Sequence, residues 1–111
     1  MNLTDHQIQM LRSLVRGRLD GAKLYTTFDE LAERMGLESG AIRPADIEAL
    51  SAWFAESALP DIATTVIPPD NAESLHMLPL PSIVEHLGGE AAAQAEAARV
   101  RDFDWAHWAA S

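Results

Sequence analysis

Two capping patterns constrain this chain more than any other feature. Thr4 is followed three residues later by Gln7, and Thr27 by Glu30. In each pair the threonine hydroxyl can accept the amide of the later residue, whose side chain can reach back to the threonine amide. This reciprocal pair marks a helix start. Asp5 and Asp29 follow the caps, where a negative charge meets the positive helix end. The first helix is predicted to run from the Thr4 cap to about Leu19, where Gly17 and Gly21 weaken it. Ile8, Leu11, Val15 and Leu19 recur at helical spacing and are expected to be its buried stripe, with Arg12, Arg16 and Arg18 mostly off it. A second helix starts at Thr27, turns Leu31, Ala32 and Met35 inward, and stops at Gly36, a residue suited to a left-handed cap. Pro44 fits the first turn of a third helix, in which Ile47, Leu50 and Phe54 form a stripe with Trp53 alongside, and Pro60 closes it.

After Pro60 the pattern changes period. In "DIATTVIPP", Ile62, Thr64 and Val66 alternate with Ala63, Thr65 and Ile67, a β-branched run that reads as a strand ended by Pro68 and Pro69. "DNAE" reads as a turn and "SLHML" as a short returning strand. Three helices followed by a β-hairpin is the order of a winged helix. The expected fold is therefore α+β, with a winged-helix core over residues 1–80 and a helical extension over 81–111 packed on the same domain. The extension holds two turns in "PSIVEHLGG", an alanine-rich helix in "EAAAQAEAARVRDF", and an aromatic end, "FDWAHW".

The segment "TTFDELAERMGL" resembles the "TYG-x-[IL]-A-x-x-x-G" stretch of winged-helix domains of the DNA alkyltransferase-like type. It is also similar to small bacterial and phage domains built on "TTYGELAERLGL". Thr27, Leu31, Ala32 and Gly36 match, while Phe28 takes the tyrosine position and Asp29 the glycine position. "LPDIATTVIPPD" then looks like the wing strand of such domains, so the resemblance covers roughly residues 24–70. It implies architecture only. An alkyltransferase needs a reactive cysteine, and this chain has none.

Charge narrows the function classes. The chain has 8 Lys+Arg and 17 Asp+Glu, a net −9, and no Lys or Arg between Pro44 and Ala98. Such a surface repels nucleic acid and anionic membranes and suits solubility or a basic partner. The third helix, where a helix-turn-helix reads bases, offers Asp46, Glu48 and Glu56 and no basic residue. Arg12, Arg16, Arg18 and Lys23 are the candidate contacts to a nucleic-acid backbone, extended by Arg34 and Arg43 if the fold gathers them. The blander reading of the first four, a solvated helix face, is the favoured one.

Without cysteine there is no disulfide framework and no thiolate zinc site. His6, His76, His86 and His107 lie far apart and form no HxH or HxxxH pair, and no GxSxG or phosphate-binding loop occurs. No catalytic, cofactor or metal residue is assigned. No apolar run reaches the length of a membrane span and the N-terminus lacks the form of a signal peptide, so a cytoplasmic protein is expected.

Phe103, Trp105 and Trp108 cluster near the end. Docking on the domain is the expectation, with Trp105 as anchor; an interface is the alternative, because tryptophan is enriched at binding hot spots. The alanine face of residues 91–98 suits either close packing or a homodimer. These observations together predict a small acidic, non-enzymatic regulatory or interaction module that binds a protein through Trp53, Trp105, Trp108, Asp46, Glu48 or Glu56. The alternatives are a DNA-binding transcription regulator and an acidic mimic of nucleic acid, phage-derived, that inhibits a basic target.

Overall fold

The computed structural model describes residues 2–110. The order of elements is α1 (Asp5–Leu19), β1 (Thr26–Thr27), α2 (Phe28–Arg34), α3 (Pro44–Glu56), a 3-10 turn (Ile62–Thr65), β2 (Val66–Ile67), α4 (Pro69–Glu73), α5 (Pro81–Leu87), α6 (Glu90–Asp102) and α7 (Trp105–Ala110). Both capping boxes form. The Thr4 hydroxyl accepts the Gln7 amide at 3.1 Å and the Gln7 side chain accepts the Thr4 amide at 3.0 Å. Thr27 and Glu30 do the same at 3.0 and 2.9 Å. Pro44 is in the first turn of α3.

The winged helix is overturned. Among the described residues the only strands are two residues long, and they pair in parallel, Thr26 with Val66 and Thr27 with Ile67. Most of the alternating run, Ile62–Thr65, is instead a 3-10 turn, only Val66 and Ile67 are strand, and every residue of the run is buried. Its β-branched threonines satisfy themselves locally: the Thr64 hydroxyl donates to the Asp61 carbonyl and the Thr65 hydroxyl to the Ile62 carbonyl, both at 2.7 Å. Asp61 caps the turn by accepting the Ala63 amide at 2.9 Å. Local bonds of this kind compete with a sheet ladder, and here they win. The presumed turn "DNAE" lies in α4, which starts on Pro69. "SLHML" adopts no strand, and the Asn71 side-chain Nδ2 instead ties its end down by donating to the Leu78 and Pro79 carbonyls.

The core gathers Met10 and Leu14 of α1, Phe28, Leu31 and Ala32 of α2, and Ile47, Leu50 and Phe54 of α3. Ile62, Ala63 and Val66 fill its centre, and Ile83, Val100 and Trp105 join it from α5, α6 and α7. Ala93 and Ala97 are buried on α6, which packs against the 3-10 turn and α5. The small side chains let α6 approach closely, so that face is occupied within the chain.

The inward face of α1 differs from expectation. Met10, Leu14 and Gly17 are buried, whereas Ile8, Leu11 and Val15 are half-buried and Leu19 is exposed. The helix thus carries two neighbouring apolar stripes. The 3.6-residue period detects a stripe but cannot say which of two faces inward.

Candidate docking groove

The second stripe of α1 forms the floor of a groove of about 710 Å³. Leu11, Val15 and Leu19 come from α1, Met35 and Leu37 from the end of α2, and Trp108 from α7. Arg12, Arg16 and Arg34 line it as well, together with His6, Gln9 and Ser13. No carboxylate lines it among the described residues, in a chain with 17 of them.

Each wall follows from local sequence. Gly36 adopts φ 72°, the left-handed conformation that ends α2. The Gly36 amide then donates to Glu33 at 3.0 Å and the Leu37 amide to Ala32 at 2.8 Å. This reversal places Leu37 beside the helix it has just left, 37% exposed. Arg34 crosses to α1 and donates from Nη2 to the Ser13 carbonyl at 2.7 Å. Gly17 makes room for it: a Cβ there would stand 2.6 Å from Nη2.

Trp108 is positioned by a chain of ring contacts. Phe54, in the core, meets Trp105 edge to face at 6.5 Å, and Trp105 meets Trp108 at 5.7 Å. Trp105 is 4% exposed, and its indole N–H donates to the Val100 carbonyl at 2.8 Å. The tail therefore serves two ends. Trp105 belongs to the core, and Trp108, half-buried and packed against it, reaches the groove. Trp53 is half-buried on α3, edge to face with Phe54 at 5.3 Å, and is not in the groove.

The basic residues divide. Arg12 has no ion pair or hydrogen bond among the described residues, and Arg16 is 3.4 Å from Asp20 on the surface. Arg18 turns away and donates to the Ala22 and Lys23 carbonyls, both at 2.7 Å. Burial, and then the nearby Arg34, hold its guanidinium below its usual range. Lys23 pairs with Glu30, and that contact together with the Thr27 amide holds the Glu30 carboxyl below its usual range. Arg43 does not line the groove.

Asp46 and Glu48, both acidic residues of α3, are engaged within the chain. Asp46 accepts from the Gln7 side-chain Nε2 at 3.0 Å and has His6 at 3.7 Å, and Glu48 accepts from the Ser82 hydroxyl. Glu56 is exposed at the end of the helix.

A second concavity, unforeseen in the sequence, surrounds Asp61. Its buried carboxyl accepts from the Ser51 hydroxyl and the Ala63 amide, and the Asp61 amide donates to Glu96 at 2.9 Å. Burial pushes the Asp61 carboxyl up to about 6, against the Ser51 and Ala63 hydrogen bonds, while the Glu96 charge raises it further and His86 lowers it. A carboxyl of this kind is typical of catalytic sites. Here, however, the serine hydroxyl is spent on the carboxylate rather than on an imidazole. Arg99 is also spent, donating to Glu96 at 2.7 Å. The cluster joins α3, the 3-10 turn and α6. Among the described residues, no three His, Asp or Glu are grouped to hold a metal, and no helix is long and apolar enough to cross a membrane.

Comparison with family models, with curated proteins and with solved structures found no match.

Proposed function

We propose that this chain is a non-enzymatic interaction module, and that the groove on α1 receives an acidic, apolar-faced segment of a partner protein. The observation that supports this most is the groove's lining: six apolar side chains and three arginines, without a carboxylate among the described residues. Apolar surface that a small domain leaves uncovered and rims with charge is characteristic of a protein-binding site. The arginines would then steer an oppositely charged partner while the apolar floor supplies affinity. The net charge of the whole chain suits a basic partner, but the groove itself has the opposite sign. A transcription regulator finds less support, because α3 presents Asp46, Glu48 and Glu56 and, of the six candidate cations, Arg12, Arg16 and Arg34 line the groove. An acidic mimic finds less support too, because Asp46 and Glu48 are held by intramolecular partners.

Photo-crosslinking in host cells tests the reading. A benzophenone side chain at Leu19 is expected to trap one protein species, and the trapping should vanish when Arg12→Glu and Arg16→Glu are added. The same probe at Ala55, which is exposed on α3 and away from the groove, should trap nothing comparable. Equal trapping at both positions, or crosslinks to nucleic acid alone, would refute the proposal.

A further inference from the structure

We infer that the segment seated in the α1 groove is an acidic amphipathic helix, rather than an extended strand, a second copy of this chain or a nucleic acid. This rests on the reading of the chain as a docking module and adds the shape and pattern of the partner.

The backbone around the groove decides against an extended segment. Its floor is α1, whose amides and carbonyls are spent within the helix, and the amides of Gly36 and Leu37 are spent on closing α2. Neither β1 nor β2 lines the groove. An extended segment lying there would bury backbone groups with nothing to pair with. A helix brings its own backbone bonds and can place one apolar face on Leu11, Val15, Leu19 and Leu37. Groove-lining residues of α1 run from His6 to Leu19, a length of about 20 Å at the helical rise, or about four turns of a partner helix.

Charge gives the pattern. Arg12 and Arg16 are four residues apart on α1, hence about 6 Å apart along one face. Carboxylates four residues apart on a partner helix have the same spacing. The apolar face would repeat every three and four residues, flanked by these acids. A second copy docking isologously on the same groove would set Arg12 and Arg16 against themselves, which disfavours that occupant. A phosphate backbone would meet the arginines but leave the leucines uncovered.

Fluorescence anisotropy with three labelled peptides tests this. One carries leucines at helical spacing with flanking glutamates. The second has the same composition with leucine and glutamate alternating. The third replaces the glutamates of the first by lysine. The first should bind, and the other two should bind at least about tenfold more weakly, a difference of about 1.4 kcal/mol. Combining Arg12→Glu with Arg16→Glu should weaken the first peptide about tenfold and strengthen the lysine peptide. Both arginines are exposed, so the variant should keep its fold, which a melting curve checks. If it does not, a salt titration of the unaltered protein supplies the same test, because screening at about 1 M salt should weaken the first peptide.

Equal binding of the alternating peptide, indifference to both charge reversal and salt, or no binding by any peptide would overturn the helix. So would tighter binding of a duplex DNA that is lost on Arg12→Ala. If the benzophenone at Leu19 still traps a protein in those cases, the docking module stands and only its occupant is reassigned. If it traps nothing, the module reading falls as well.

Discussion

The stretch from Pro60 to Pro68 and the outward face of α1 are opposites. The first is buried at every residue. Both of its threonines and its aspartate are satisfied, and no buried side-chain nitrogen or oxygen among the described residues lacks a partner. The outward face of α1 shows Leu19 at 42% exposure, and on the same helix Arg12 is unpaired among the described residues. Burial with full satisfaction is what stability requires. Apolar surface and charge left without partners do nothing for stability and are available for binding. The same distinction separates the two tryptophans of the tail, three residues apart: Trp105 is hydrogen-bonded in the core, and Trp108 is a wall of the groove.

Substitutions should break the molecule along that line. The largest effect is expected at the core, where Phe54→Ala should cost about 3–5 kcal/mol in denaturant unfolding. A loss under about 0.5 kcal/mol would mean that Phe54 behaves as a surface residue and that this core is wrongly placed.

Asp61→Asn should change the pH dependence of stability. Because the folded carboxyl is raised to about 6 from an ordinary 3.8, the folded chain holds this proton more tightly than the unfolded chain. The stability due to this group is complete below the unfolded value and is lost as pH rises through about 6. Relative to the variant, the unaltered protein should gain roughly 1–1.5 kcal/mol on going from about pH 7.5 to about pH 5. Glu30, whose carboxyl is held low, works in the opposite direction but is common to both proteins and cancels. Parallel pH profiles would show that Asp61 is not the buried joint described above.

Trp105→Phe removes the indole hydrogen bond to Val100 and leaves most of the ring packing. It should cost about 1 kcal/mol in the same unfolding measurement, the net value of one such bond plus a small packing loss. An unchanged midpoint would place the tail outside the core. The smallest effect is expected in the groove. Arg12→Glu with Arg16→Glu should move stability by no more than about 0.5 kcal/mol, as befits exposed charges.

Helix starts were legible in the sequence because capping is a local matter. Thr4, Thr27, Gly36 and Pro44 perform the roles their neighbours imply. Leu31, Ala32, Ile47, Leu50 and Phe54 share one core because single-stripe helices have only one way to face. The 61–67 run was misread because alternation cannot separate a half-buried strand from a turn buried on all sides. The deciding bonds, from Thr64 and Thr65 to nearby carbonyls, depend on rotamers that sequence does not display. The groove was hidden for a related reason. Its floor was visible as a stripe, Leu11, Val15 and Leu19, but read as core, because α1 carries Met10 and Leu14 on an adjacent stripe. Met35, Leu37 and Trp108 reach it only through tertiary packing. Asp61 looked like any of the acids until burial singled it out.

Leu19 at the end of the second stripe of α1 and Leu37 facing it serve binding rather than folding, and one double variant, Leu19→Asp with Leu37→Asp, measured for both properties, checks this. The variant should keep the stability of the unaltered protein to within about 0.5 kcal/mol and lose binding to the acidic helical peptide. A destabilisation of several kcal/mol with peptide binding intact would contradict it, and would return that stripe to the core.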